Sequence, residues 1–267
     1  MGAARTLGRP DLPAARWLAP LLVLAAWQAA AQAGWLPERI LPAPSSVAAA
    51  GAALARSGAL WEQAGVSGLR ALTGVLLGGG AGVVLGALAG VARRTGAQAD
   101  SLLQALGLVP VLAFAPLILL WVGVGEAARL ALLSLSAFFP VYLHTVRGIR
   151  GVDAGLLETG REHGLQGWPL WLHVLLPGAL PTILAGLRQG LVLVWLVLVA
   201  LERFPAPSGL GQLAAQAHET ARTDLAVLAI VLYALLSAAS FAAVHALRRY
   251  LLRWSPAQRP ELFSGIH

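Results

Sequence analysis

Apolar residues gather along this chain in long, nearly uncharged runs separated by short polar joints. Six runs approach the roughly 20 helical residues needed to cross a hydrocarbon core of about 30 Å. They are Trp17–Gly34, Leu72–Ala92, Leu102–Val122, Leu130–Val146, Ala179–Leu201 and Leu225–Leu247. The pattern predicts an all-α polytopic membrane protein. Residues 17–254 form one transmembrane domain, between an N-terminal arm over 1–16 and a tail over 255–267. Ala48 to Arg70 reads as a partly amphipathic helix on the outer surface, after the extended stretch Leu41-Pro42-Ala43-Pro44. Pro110 and Pro116 fall within the third run and Pro140 within the fourth, so kinked helices around a cavity are expected there.

Composition narrows the class. Of 267 residues 58% are hydrophobic and 12% charged, against about 25% charged in soluble proteins. That is too little charge to cover a soluble surface. The absence of cysteine excludes a disulfide scaffold and thiolate metal sites. All 19 basic residues are arginine, so no P-loop lysine exists and this chain does not hydrolyse ATP by that route. The net charge of +7 would suit nucleic acid, but the arginines flank apolar runs and do not cluster with aromatics. With both termini cytoplasmic, 12 arginines fall inside and 6 outside, as the positive-inside rule requires. The first run also carries Ala31-Gln32-Ala33, a small-residue stretch compatible with signal-peptide cleavage, which would leave five spans.

Two patterns concern packing and charge. Gly74, Gly78, Gly82, Gly86 and Gly90 recur every four residues, on one helical face. They form a groove that admits a partner helix backbone, either for fixed packing or as a sliding surface. Arg188 lies about ten residues into the fifth run, where an arginine costs ~2.5–3.5 kcal/mol on insertion scales unless it faces protein or water. Arg188 is a candidate for a positive charge lining an anion pathway, with snorkelling or a structural bond to the preceding loop as the alternatives; Glu202, at the outer end of the run, is a pathway candidate for gating, with pairing to Arg203 or Arg222 as the alternative. No histidine cluster has metal-ligand spacing, and no nucleophile or carboxylate pair suggests catalysis.

The polar segment 147–177 is the most informative. Asp153 is a candidate N-cap for a short helix to His163, Gly164 and Gly167 permit a reversal, and a second short helix runs Leu170–Leu176 before Pro177. On physics alone this is a docking element or a loop packed on its own bundle. Its sequence reads Leu157-Glu158-Thr159-Gly160-Arg161-Glu162-His163-Gly164, then Leu176-Pro177-Gly178, then Gly186-Leu187-Arg188. This resembles the EAA…G…LP signature of inner-membrane permease subunits of binding-protein-dependent ABC importers. Flanking Phe139-Pro140-Val141-Tyr142 and Ser208-Gly209-Leu210-Gly211 resemble the branch importing aliphatic sulfonates, taurine and nitrate, with both signature alanines replaced by Thr159 and Gly160.

The resemblance implies a type I importer permease architecture of about six spans in the bacterial inner membrane. It implies a homodimer and a partner ATPase that binds the ATP, with no cofactor in this chain. It also implies a periplasmic or lipid-anchored solute-binding protein. Glu158, Thr159, Gly160, Arg161 and Gly164 would couple the permease to the ATPase. An aliphatic sulfonate is the expected solute, with taurine, nitrate or a pyrimidine precursor as alternatives for the same machinery; a self-contained secondary transporter is the competing expectation.

Overall fold

A computed structural model describes residues 15–92, 97–203 and 208–254. The expected arm and tail lie almost wholly outside these, as do Arg93 and Arg94. Among the described residues all regular structure is helical: α1 (Ala15–Gln32), α2 (Pro44–Ser57), α3 (Ala59–Val91), α4 (Ala97–Leu106), α5 (Ala115–Val122), α6 (Glu126–Arg150), α7 (Ala154–Glu162), α8 (Trp168–Leu170), α9 (Leu176–Leu201), α10 (Leu210–Glu219) and α11 (Thr223–Leu251).

Four helical runs are long and apolar enough to cross a membrane: Ala59–Val91, Glu126–Arg150, Trp168–Leu201 and Thr223–Leu251. The other two expected spans are shorter. Leu18–Gln32 is an apolar helix below spanning length. The run expected over Leu102–Val122 is broken: α4 ends at Leu106, a 3₁₀ turn occupies Val111–Phe114, and α5 follows. Pro110 has no N–H to continue the helical ladder, whereas Pro116 is tolerated in the first turn of α5.

Two further elements differ from expectation. The helix expected over Ala48–Arg70 is split at Gly58, whose φ of 84° and N–H bond to the Ala55 carbonyl cap α2. Its second half is continuous with the next span, so Arg70 lies within α3 and not at the end of a separate surface helix. Nor does Pro177 close a separate helix. A π turn over Trp171–Leu175 joins α8 to α9, and Pro177 sits in the first turn of α9.

The described chain divides into two units, residues 15–61 with 213–231, and 62–212 with 232–254. In the first, the Gln28 amide grips the start of α2, donating to Ser45 Oγ (3.0 Å) and accepting from Ser45 N (3.1 Å). Thr223 Oγ1 donates to the Glu38 carbonyl at 2.5 Å, and Gly51 lets Leu228 approach α2 closely.

In the second unit, bare backbone sets the packing. Every glycine of the α3 stripe is buried against α6. A Cβ on Gly74 would lie 2.7 Å from Leu133 Cβ, and one on Gly86 2.8 Å from the Tyr142 carbonyl oxygen. One on Gly78 would fall inside the Ser134 carbonyl. The opposite face of α3 exposes Leu72, Leu76, Val84 and Leu88, as lipid-facing side chains do. Helices α6 and α9 run antiparallel: Gly148 meets Ala179 and Thr182, Gly186 meets Pro140 and His144, and Gly190 meets Ala137. Leu132, Leu133, Val194 and Leu198 fill the core beyond Gly190, and Trp195 Nε1 donates to Ser240 Oγ of α11 at 2.9 Å.

Candidate functional site

The elbow between α6 and α9 is built by local capping. Asp153 accepts hydrogen bonds from Gly155 N (2.7 Å) and Leu156 N (3.3 Å), filling the orphan donors of the first turn of α7. The other end closes as a Schellman motif. Leu165 N donates to the Gly160 carbonyl (3.0 Å) and Gly164 N to the Arg161 carbonyl (2.9 Å), with Gly164 at φ 79°. Gly160 faces inward, where a Cβ would stand 2.9 Å from Leu170 Cδ1 and 3.1 Å from Val174 Cγ2. The glycine in place of an alanine therefore lets α7 settle on the α8–π segment. Glu158, Thr159, Arg161 and Glu162 point outward, and Trp168, 67% exposed, stacks on Trp171 at 4.8 Å. The elbow is a folded knob whose outer surface is polar over Glu158–Glu162, with Leu156 and Trp168 also exposed. Gly164→Ala should cost about 1 kcal/mol through its left-handed backbone. Amide exchange at Gly164 and Leu165 should quicken roughly five-fold, and unchanged exchange would contradict the motif's dependence on glycine.

A cavity of about 430 Å³ opens between α6, α9 and the broken segment Gly107–Leu112. Besides Ser136, whose hydroxyl donates to the Leu132 carbonyl, its polar side chains are Arg147, His144 and Gln189. Arg147 is exposed, and His144 Nε2 donates to Gln189 Oε1 at 3.0 Å. His144 Nδ1 is buried with no hydrogen-bond partner among the described residues. Farther along, Phe139, Leu193, Leu196 and Val197 make the walls apolar. No carboxylate lines the cavity among the described residues.

At the other end of α3 lies a buried ion-pair network. Arg70 is 4% exposed and Glu202 2%. The guanidinium grips Glu126 with two bonds, Nε–Oε1 at 2.6 Å and Nη2–Oε2 at 2.7 Å. Its Nη1 donates to Glu202 Oε1 and the Ser208 carbonyl, both at 2.8 Å. Glu202 also accepts from Ser67 Oγ (2.7 Å), Gly211 N (3.1 Å) and Tyr233 OH (2.5 Å). Ser67 Oγ in turn accepts from Leu210 N at 2.9 Å. The two buried charges, Arg70 and Glu202, are thus paired and hydrogen-bonded, the condition for ions to persist away from water, while Glu126 closes the network at the surface.

The candidate residues divide accordingly. The α3 glycines meet α6, and the five elbow residues share one short segment. Arg188 is exposed on α9 beside Gln189, but neither it nor Glu202 lines the cavity. Glu202 pairs with Arg70, not with Arg203 or Arg222; Arg222 instead pairs with Asp224 at 2.6 Å. Sequence reasoning missed Arg70, Ser67, Glu126 and Tyr233, as well as His144, Arg147 and Gln189. The spacing did hold a signal for the first pair: Gln63, Ser67 and Arg70 continue the face of the glycine stripe.

Comparison with known proteins gives the family. Residues 82–254 match the model of the binding-protein-dependent transport system inner membrane component family. The chain is 45% identical to the putative aliphatic sulfonates transport permease protein SsuC of Escherichia coli, over 92% of this chain and 94% of that one. It is 38% identical to the protein of the same name from Bacillus subtilis, over 89% and 86%. It is 29% identical to the taurine transport system permease protein TauC of Escherichia coli, over 87% and 86%. The chain belongs to this family: it is a multi-pass membrane permease of the ABC transport type.

Proposed function

We propose that two copies of this permease form the membrane pathway of an ABC importer for aliphatic sulfonates, driven by a partner ATPase and supplied by a solute-binding protein outside. The observation that carries the reading is the 45% identity to an SsuC protein across nearly the whole chain. The capped elbow supports the coupling part of it. Glu158, Thr159 and Arg161 offer a polar outer face to the ATPase, Gly160 packs inward, and Gly164 closes the knob. ATP binding in the partner draws the two elbows together, and the attached helices open the pathway to the outside. Both termini face the cytoplasm, in keeping with the arginine bias. Arg188 adds positive charge beside the pathway, while Glu202 serves it indirectly by fixing the turn Ser208–Gly211.

Deleting the gene should abolish growth on an alkanesulfonate as sole sulfur source while leaving growth on sulfate intact, and restoring it should rescue growth. Undiminished growth of the deletion strain on alkanesulfonates, with loss of growth on taurine, would move the assignment to taurine.

A further inference from the structure

We propose that the cavity between α6, α9 and Gly107–Leu112 is a binding subsite for the transported anion, holding an alkanesulfonate by both ends. The inference rests on the proposed sulfonate substrate and adds the residues that meet it. The lining is polarised along the helix pair. Arg147 and His144 lie toward the elbow end of α6, and His144 bonds Gln189 across the helix pair. Leu193, Leu196 and Val197 follow beyond Gln189 on α9, and the polar side chain at that end, Ser136, spends its hydroxyl on the Leu132 carbonyl.

The polar end suits an anionic head. Arg147 has no ion-pair partner among the described residues, and no carboxylate of the lining competes for it. The Gln189 amide hydrogens supply further donors. The apolar end suits an aliphatic tail, and the volume falls within the roughly 300–1,000 Å³ usual for small-molecule sites. Inorganic anions would fill the head and leave the tail empty. The chemistry on both sides therefore points to an organic anion with an alkyl chain.

The test uses the complete transporter in proteoliposomes, with loaded binding protein at saturation, so that handover and passage limit the rate. The same binding protein is used throughout, which cancels its own selectivity when variants are compared. Leu193→Phe narrows the apolar end. Octanesulfonate uptake should fall about ten-fold relative to ethanesulfonate, the scale on which apolar pockets discriminate by size. Leu193→Ala should shift the ratio the other way. Arg147→Gln should slow both substrates similarly and raise the ATP hydrolysed per substrate moved, with unchanged amounts of protein in the membrane. A chain-length ratio unmoved by both Leu193 variants overturns the subsite. So does an Arg147→Gln effect confined to membrane insertion, which would make Arg147 a lipid-headgroup anchor. If the wild-type transporter carries no sulfonate, the substrate assignment falls along with the subsite; if it carries sulfonates and the ratio stays fixed, the subsite alone falls.

Discussion

Replacing Gly78 with alanine should leave little folded protein in the membrane. The added methyl would fall inside the Ser134 carbonyl of α6, and backbone cannot rotate out of the way as a side chain can. Overpacking a core typically costs 1–3 kcal/mol, occasionally more. A clash against backbone belongs at or above the top of that range, a large share of a total stability of about 5–15 kcal/mol. The internal control is Gly80→Ala, two residues along the same helix. A Cβ there meets nothing within 4 Å, and alanine gains about 1 kcal/mol in helix propensity. Thermal unfolding and monodisperse yield in detergent compare the two. Equal stability of the Gly78 and Gly80 variants would mean that α3 does not need to touch α6 through bare backbone.

Arg70→Met should destabilise the protein by about 3–5 kcal/mol, because it strands a buried charge. Glu202 would keep Ser67, Tyr233 and the Gly211 amide but lose its cation. The double variant Arg70→Met with Glu202→Leu should recover part of that loss, since a buried pair replaced by apolar groups often costs little. The exposed pair Arg222–Asp224 provides the contrast; breaking it should cost no more than about 1 kcal/mol. A buried network is also poorly screened, so 1 M salt should spare the Arg70 contribution and erase that of Arg222. If the Arg70 and Arg222 variants unfold together, the network contributes no more than a surface pair.

The legible parts of this molecule were those encoded by period and by capping. The four-residue glycine period implied a helix pressed against a partner backbone, though not which partner. Asp153 and Gly164 marked both ends of α7 because capping is local chemistry. What escaped was set by tertiary context. Arg70 read as the last residue of an outer-surface helix because it precedes the apolar run, whereas its neutralising partners lie 56 and 132 positions away. Nothing local to Arg70 announces them. Pro177 read as a terminator, since a proline breaks an ordinary α-helix; the π turn before it removes the conflict. Pro110 read as a kink, but with Gly107 and the 3₁₀ turn it ends one helix and delays the next. His144 and Gln189 are 45 positions apart and join only because α6 and α9 cross at Gly186 and Gly190.

Contacts made through glycine have no slack. A seam of interlocking side chains can yield by changing rotamers, but at Gly78, Gly82, Gly148 and Gly190 the neighbours include backbone atoms, which no rotamer change moves. Such contacts favour movement of α3, α6 and α9 as one stiff plate. Any rearrangement within this unit then falls on its articulated margin: the non-helical link around Gly107 and Pro110, and the turn at Gly123–Gly125 between α5 and α6. The first of those joints is also a wall of the cavity, so flexing it would alter the volume of the chamber while the plate stayed unchanged.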